Sequence, residues 1–161
     1  MPKGSSRIEP QKTVVLGLGN LLLGDEGAGV RVIELLRRSG RLENVELVDG
    51  GTSGFGLLEF FAKADLLVVV DAARDGRPPG TVARVSPVFD PAYPPVLMPH
   101  DIGLKDLLDA ATVLGKRPEV VLFTISVAET ERLTLDLSPP VDQGIRNAAD
   151  LITDFLRAVQ R

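Results

Sequence analysis

From Thr13 onward, short β-branched and leucine-rich runs alternate with longer stretches whose apolar residues recur every three or four positions. A strand that is apolar on both faces must be covered on both, and single helices between such strands impose parallel crossovers, so this alternation narrows the possible folds more than any other feature. Strands are expected at residues 13–18, 45–49, 66–70, 81–85 and 120–127, and helices at about 29–38, 56–62, 104–114 and 141–160. In the first helix Val30, Ile33 and Leu36 oppose Arg31, Glu34, Arg37 and Arg38; in the third, Leu104, Leu107, Leu108 and Ala111 oppose Lys105, Asp106 and Asp109. The last carries Ile145, Ala148, Ala149, Ile152, Leu156 and Val159 at helical spacing. Right-handed crossovers then predict an α/β fold: one three-layer domain over residues 1–161, with a mostly parallel twisted sheet of about five strands and helices on both faces. Residues 81–85 follow the third strand after a loop too short for a crossover helix, so they are expected to run antiparallel at an edge, with Pro78, Pro79 and Gly80 making the turn. Residues 86–99 hold five prolines and fit neither a helix nor a central strand; they are read as a loop leading to His100.

A length of 161 residues suits a single well-packed core. The net charge of −4 at pH 7 favours neither a nucleic-acid surface nor a polybasic membrane anchor. With no cysteine, the chain has no disulfide framework, thiolate zinc site or cysteine nucleophile. A single histidine rules out the paired-histidine zinc motifs, so a metal site here must rest on carboxylates with at most His100. Apolar runs such as residues 66–70 fall far short of the roughly 20 residues of a membrane span. Residues 1–12 are polar, lack an apolar signal core and are expected to be a flexible start, and the reading is a cytoplasmic protein.

In open α/β sheets ligands bind beyond the carboxyl ends of the strands, and three polar features are expected there. The first strand is followed by the glycine-rich run from Gly17 to Gly29, which delivers Asp25 and Glu26 to a helix start; Asp71 follows the apolar third strand; His100, beside Asp101, precedes the third helix. Each has a simpler explanation. Asp25 reads as a cap of the first helix, Glu26 as a first-turn charge, Asp71 as a turn former and His100 as a structural or exposed side chain. Brought together, Glu26, Asp71 and His100 would form an oxygen, oxygen and nitrogen ligand set with open positions. A nucleotide-binding module is the competing reading, since Gly17-Leu18-Gly19 opens like a dinucleotide fingerprint and Asp49 falls near a ribose-binding position. Leu22 stands at the third glycine position, however, and Asp25 and Glu26 would repel a pyrophosphate. Gly51-Thr52-Ser53-Gly54-Phe55 fails the nucleophile-elbow pattern at its last position. Gly50-Gly51-Thr52 reads instead as a tight loop approached closely by other backbone.

Four motifs in order, Gly17-Leu18-Gly19-Asn20 with Asp25-Glu26-Gly27-Ala28-Gly29-Val30, Asp49-Gly50-Gly51-Thr52-Ser53-Gly54, Val70-Asp71-Ala72 with Pro79-Gly80-Thr81, and Pro99-His100-Asp101-Ile102-Gly103-Leu104, resemble the hydrogenase maturation endopeptidases. The resemblance runs from about Val14 to the final helix. It implies a twisted sheet sandwiched by helices and a peptidase that removes a C-terminal extension from the large-subunit precursor of a nickel–iron hydrogenase after nickel insertion. It also implies metal-binding roles for Glu26, Asp71 and His100, with glutamate standing where the family often has aspartate. Nickel brought by the precursor is the expected metal, a resident zinc or other divalent ion being the alternative. Asp25 is the candidate general base, and a metal chaperone without hydrolytic activity is a further reading of the same ligand set.

Overall fold

The computed structural model describes residues 11–85, 104–128 and 132–161. Its sheet has the order β2-β1-β3-β5-β4, formed by β1 (Thr13–Leu18), β2 (Val45–Gly51), β3 (Leu66–Ala73), β4 (Val82–Val85) and β5 (Glu119–Ser126). The first three strands and β5 are parallel, while β4 runs antiparallel to β5 at the edge. The expected antiparallel edge strand is therefore present, and β5 lies between it and β3.

Helices α1 (Ala28–Ser39) and α4 (Pro139–Val159) cover one face; α2 (Leu58–Lys63) and α3 (Leu104–Val113) cover the other. Strand alternation sorts the core accordingly. Val15, Val68, Val70 and Phe123 pack with Val32, Ile33, Leu36, Ala148 and Ile152, whereas Leu16, Leu67, Val69 and Leu122 pack with Phe61, Leu107 and Ala111. Val159, expected on the apolar stripe of α4, is 43% exposed; it is the last residue of that helix. Gly40 ends α1 in a left-handed conformation (φ 59°), the usual way for a helix to stop on glycine. Among the described residues no helix is long and apolar enough to cross a membrane.

The order places β3 at the centre with β1 beside it, and the chain leaves these two strands in opposite directions: α1 carries it from β1 to β2 on one side, whereas β3 is followed by β4 at the opposite edge, beyond β5. That reversal opens a crevice at their carboxyl ends. β1 last pairs with β3 at Gly17 opposite Val70, whereas β3 continues beside β5 as far as Ala73 opposite Ser126. Asp71 is thus an internal residue of β3, the first one beyond the reach of β1, and not the turn former its position after Val70 suggests.

Candidate metal-binding site

Two approaches of bare backbone bring the first helix to this crevice. A Cβ on Gly29 would collide with the carbonyl oxygens of Leu18 and Val70, so only glycine lets α1 start directly over the ends of β1 and β3. Just before it, Gly24–Gly27 form a 3-10 turn in which Gly24 and Gly27 are buried. With three residues per turn, the adjacent carboxylates Asp25 and Glu26 diverge by about 120° and find different partners.

Glu26 is ion-paired and hydrogen-bonded through Oε1 to the guanidinium of Arg74, just past the end of β3. Asp25 turns the other way. Its Oδ1 accepts the backbone N–H of Ser138 at 2.8 Å and its Oδ2 accepts the Ser138 hydroxyl at 2.7 Å. Ser138 is the N-cap residue of α4, and α1 receives no side-chain cap. The expectation that Asp25 caps the first helix is therefore corrected: the 3-10 turn already continues into α1, and the carboxylate ties that turn to the start of a helix 113 residues away.

Asp71 shares its face of β3 with Leu67 and Val69, the face covered by α2 and α3. It is 1% exposed, and its Oδ2 has no hydrogen-bond partner among the described residues. Burial pushes its carboxyl well above the usual range, partly offset by a hydrogen bond from the Ala72 backbone. Beside it on β5 lie Thr124 and Ser126, the latter donating to Asp75 at 3.1 Å. The strand end that carries Asp71 thus changes from apolar to polar within two residues.

His100 lies outside the described residues, and so does the loop of residues 86–99. The chain is described again at α3, which packs on the face towards which Asp71 points. Among the described residues no group of three or more His, Cys, Asp or Glu side chains could hold a metal ion. Glu26 and Asp71 do both sit at the β1/β3 crevice, and the 3-10 turn of Glu26 packs against β3. Asp49, the competing ribose ligand, instead accepts the N–H of Gly51 at 3.0 Å in a turn of its own. The close approach expected at Gly50 is present, but inside β2, which runs on to Gly51, and not in a loop: a Cβ there would meet Leu16 Cδ1 at 2.8 Å and the Gly17 carbonyl at 3.1 Å. Reasoning from sequence missed Arg74 and Ser138, since neither belongs to a local pattern that announces its partner.

A family model described as "Hydrogenase maturation protease" matches residues 30–155. The chain is 37% identical over 154 residues to the hydrogenase expression/formation protein HupD of Thiocapsa roseopersicina, covering 93% of this chain and 69% of that protein. It is 34% identical over 149 residues to the hydrogenase 2 maturation protease of Escherichia coli, covering 91% of each. Among solved structures, the hydrogenase maturating endopeptidase HybD from E. coli superposes with a TM-score of 0.76 at 31% identity, over 92% of this chain and 93% of that one.

Proposed function

The chain belongs to the hydrogenase maturation protease family, and from that premise we propose that it removes a C-terminal extension from the large-subunit precursor of a nickel–iron hydrogenase, in the cytoplasm, once nickel has been inserted. In this reading nickel arrives as part of the substrate, and Glu26, Asp71 and His100 grasp it as the sign that the precursor is complete. Two carboxylates and an imidazole suit nickel or zinc. A cation held there would supply Lewis acidity to the scissile carbonyl and acidify a water.

The observation that carries the reading is the Asp71 carboxyl, buried at the open end of the sheet with one oxygen that no described residue partners. A buried acid without a full set of partners is destabilising, so its presence calls for a purpose other than packing. A ligand that must wait for its metal explains it. The rest of the chain holds the donors in place. β3 and β5 fix the backbone of Asp71, the 3-10 turn fixes Glu26, and Asp25 fixes that turn to α4. With both oxygens engaged by Ser138, Asp25 acts in this reading as a tether and not as the base.

The test is to incubate the purified protein with nickel-loaded and nickel-free large-subunit precursor and weigh the products. Loss of a C-terminal peptide from the loaded form alone is expected. An intact loaded precursor would overturn the proposal and leave a metal chaperone; equal cleavage of both forms would remove the nickel dependence.

A further inference from the structure

Arg74 stands three positions beyond Asp71, where β3 ends at Ala73, and its guanidinium reaches across the crevice to Glu26. Neither partner is fully solvated: the side chains are 29% and 13% exposed. Of the acids next to the pair in sequence, Asp25 is engaged by the neutral donors of Ser138 and Asp75 by Ser126 and Arg77. Glu26 is thus the carboxylate of the 3-10 turn that meets a fixed positive charge. Arginine does not lose its proton in proteins, so the positive charge that faces Glu26 is permanent.

We propose that Arg74 is an internal counter-cation for Glu26: it holds the carboxylate in the metal-free protein, must be displaced before Glu26 can ligate a metal, and so keeps the affinity of the isolated protein for free divalent cations low. This inference rests on the assignment of Glu26 as a metal ligand made above. A free ion has to break the Arg74–Glu26 pair and overcome the repulsion of the guanidinium, with only the ligand bonds to drive it. A metal fixed inside a docked protein arrives at high effective concentration, with the remaining contacts of that protein already made, and displaces Arg74 more readily. The pair then acts as a filter: the apparent affinity for any ion falls by the fraction of molecules in which Glu26 is released.

Calorimetric titration of the full chain with nickel chloride, at fixed ionic strength, tests this on wild type, Arg74→Gln, Arg74→Lys, Glu26→Gln and the Arg74→Gln/Glu26→Gln pair. Arg74→Gln is expected to bind nickel about tenfold more tightly than wild type, and Arg74→Lys, which keeps the charge, to stay within about threefold of it. On the Glu26→Gln background the gain should vanish, since there is then no ligand carboxylate for Arg74 to withhold from the metal. Equal or weaker binding by Arg74→Gln overturns the inference, because Arg74 would then be idle or would orient Glu26 for the metal. A gain that survives Glu26→Gln also overturns it, reducing Arg74 to a general repulsive charge. Precursor cleavage by wild type reads the proposed function separately. Normal nickel-dependent cleavage with unchanged nickel affinity in Arg74→Gln removes the counter-cation alone, whereas failed cleavage removes the function whatever the titrations give.

Discussion

The Asp71 carboxyl is held between two demands: burial in the α2/α3 face favours its neutral form, and ligation of a cation needs its charged form. The sign of its effect on stability follows. Unfolded, the group loses its proton around the ordinary carboxylate value of 3.8; folded, it does so well above that. Its contribution to stability is fully present below 3.8 and is lost as the pH rises towards the folded value, because in that window the native state binds more protons than the unfolded one. Asp71→Asn removes the penalty. In the metal-free protein its thermal midpoint at pH 7 should exceed that of wild type, by an amount corresponding to about 1 to 3 kcal/mol, and the difference should shrink as the pH approaches 4. A midpoint equal to or below wild type at pH 7 would show that the carboxyl is fully satisfied in the folded protein. Much of this residue was legible in the sequence, because a carboxylate directly after five apolar strand residues has to be buried or bent away. The pairing of Glu26 was not legible, since Arg74 reaches it across the junction of two strands that are adjacent only in the folded sheet.

A set of long-range stitches converts separate elements into one rim around the crevice. Leu23 bridges Thr134, whose N–H donates to the Leu22 carbonyl at 2.9 Å and whose carbonyl accepts from Gly24 at 2.8 Å. Asp25 then clamps Ser138 at the start of α4. The same helix sits close to the turn before β4, where a Cβ on Gly144 would meet the Gly80 carbonyl at 2.7 Å. Asp25→Ala should therefore lower the thermal midpoint by the equivalent of about 1 to 2 kcal/mol, and amide exchange should speed up in the first turn of α4, where Asp142 donates to the Ser138 carbonyl. Precursor cleavage measured well below the new midpoint should stay within a few-fold of wild type. Loss of cleavage at an unchanged midpoint would instead restore Asp25 as the general base. The strands and helices themselves were readable from periodicity, including the antiparallel edge that follows a loop too short for a crossover. What periodicity does not encode is the partner of each turn. The 3-10 turn looks like the cap of the next helix in sequence, and its hydrogen bonds go to a helix at the far end of the chain.

At the scale of the whole molecule, the fold separates what keeps it stable from what the proposed reaction uses. Two apolar clusters, one on each face of the sheet, hold the layers together through residues such as Ile33, Phe123 and Ile152 on one side and Leu16, Phe61 and Leu107 on the other. Glu26 and Asp71 lie where β1 has ended and β3 continues, so these clusters close without them. Glu26→Gln, Asp71→Asn and His100→Ala are accordingly expected each to lower the processing of nickel-loaded precursor by at least about a hundredfold while the thermal midpoint stays at or above that of wild type. Scaffolding residues predict the reverse pairing, with cleavage retained and the midpoint reduced. Measuring both quantities on the same three variants separates the two outcomes, because a side chain that served only to cap or brace would have to move the midpoint before it could affect turnover. His100 gives the sharpest reading. It is the sole imidazole in the chain, so if His100→Ala processes precursor as wild type does, no nitrogen ligand of this type remains to complete the site, and the three-residue metal grip fails as a whole.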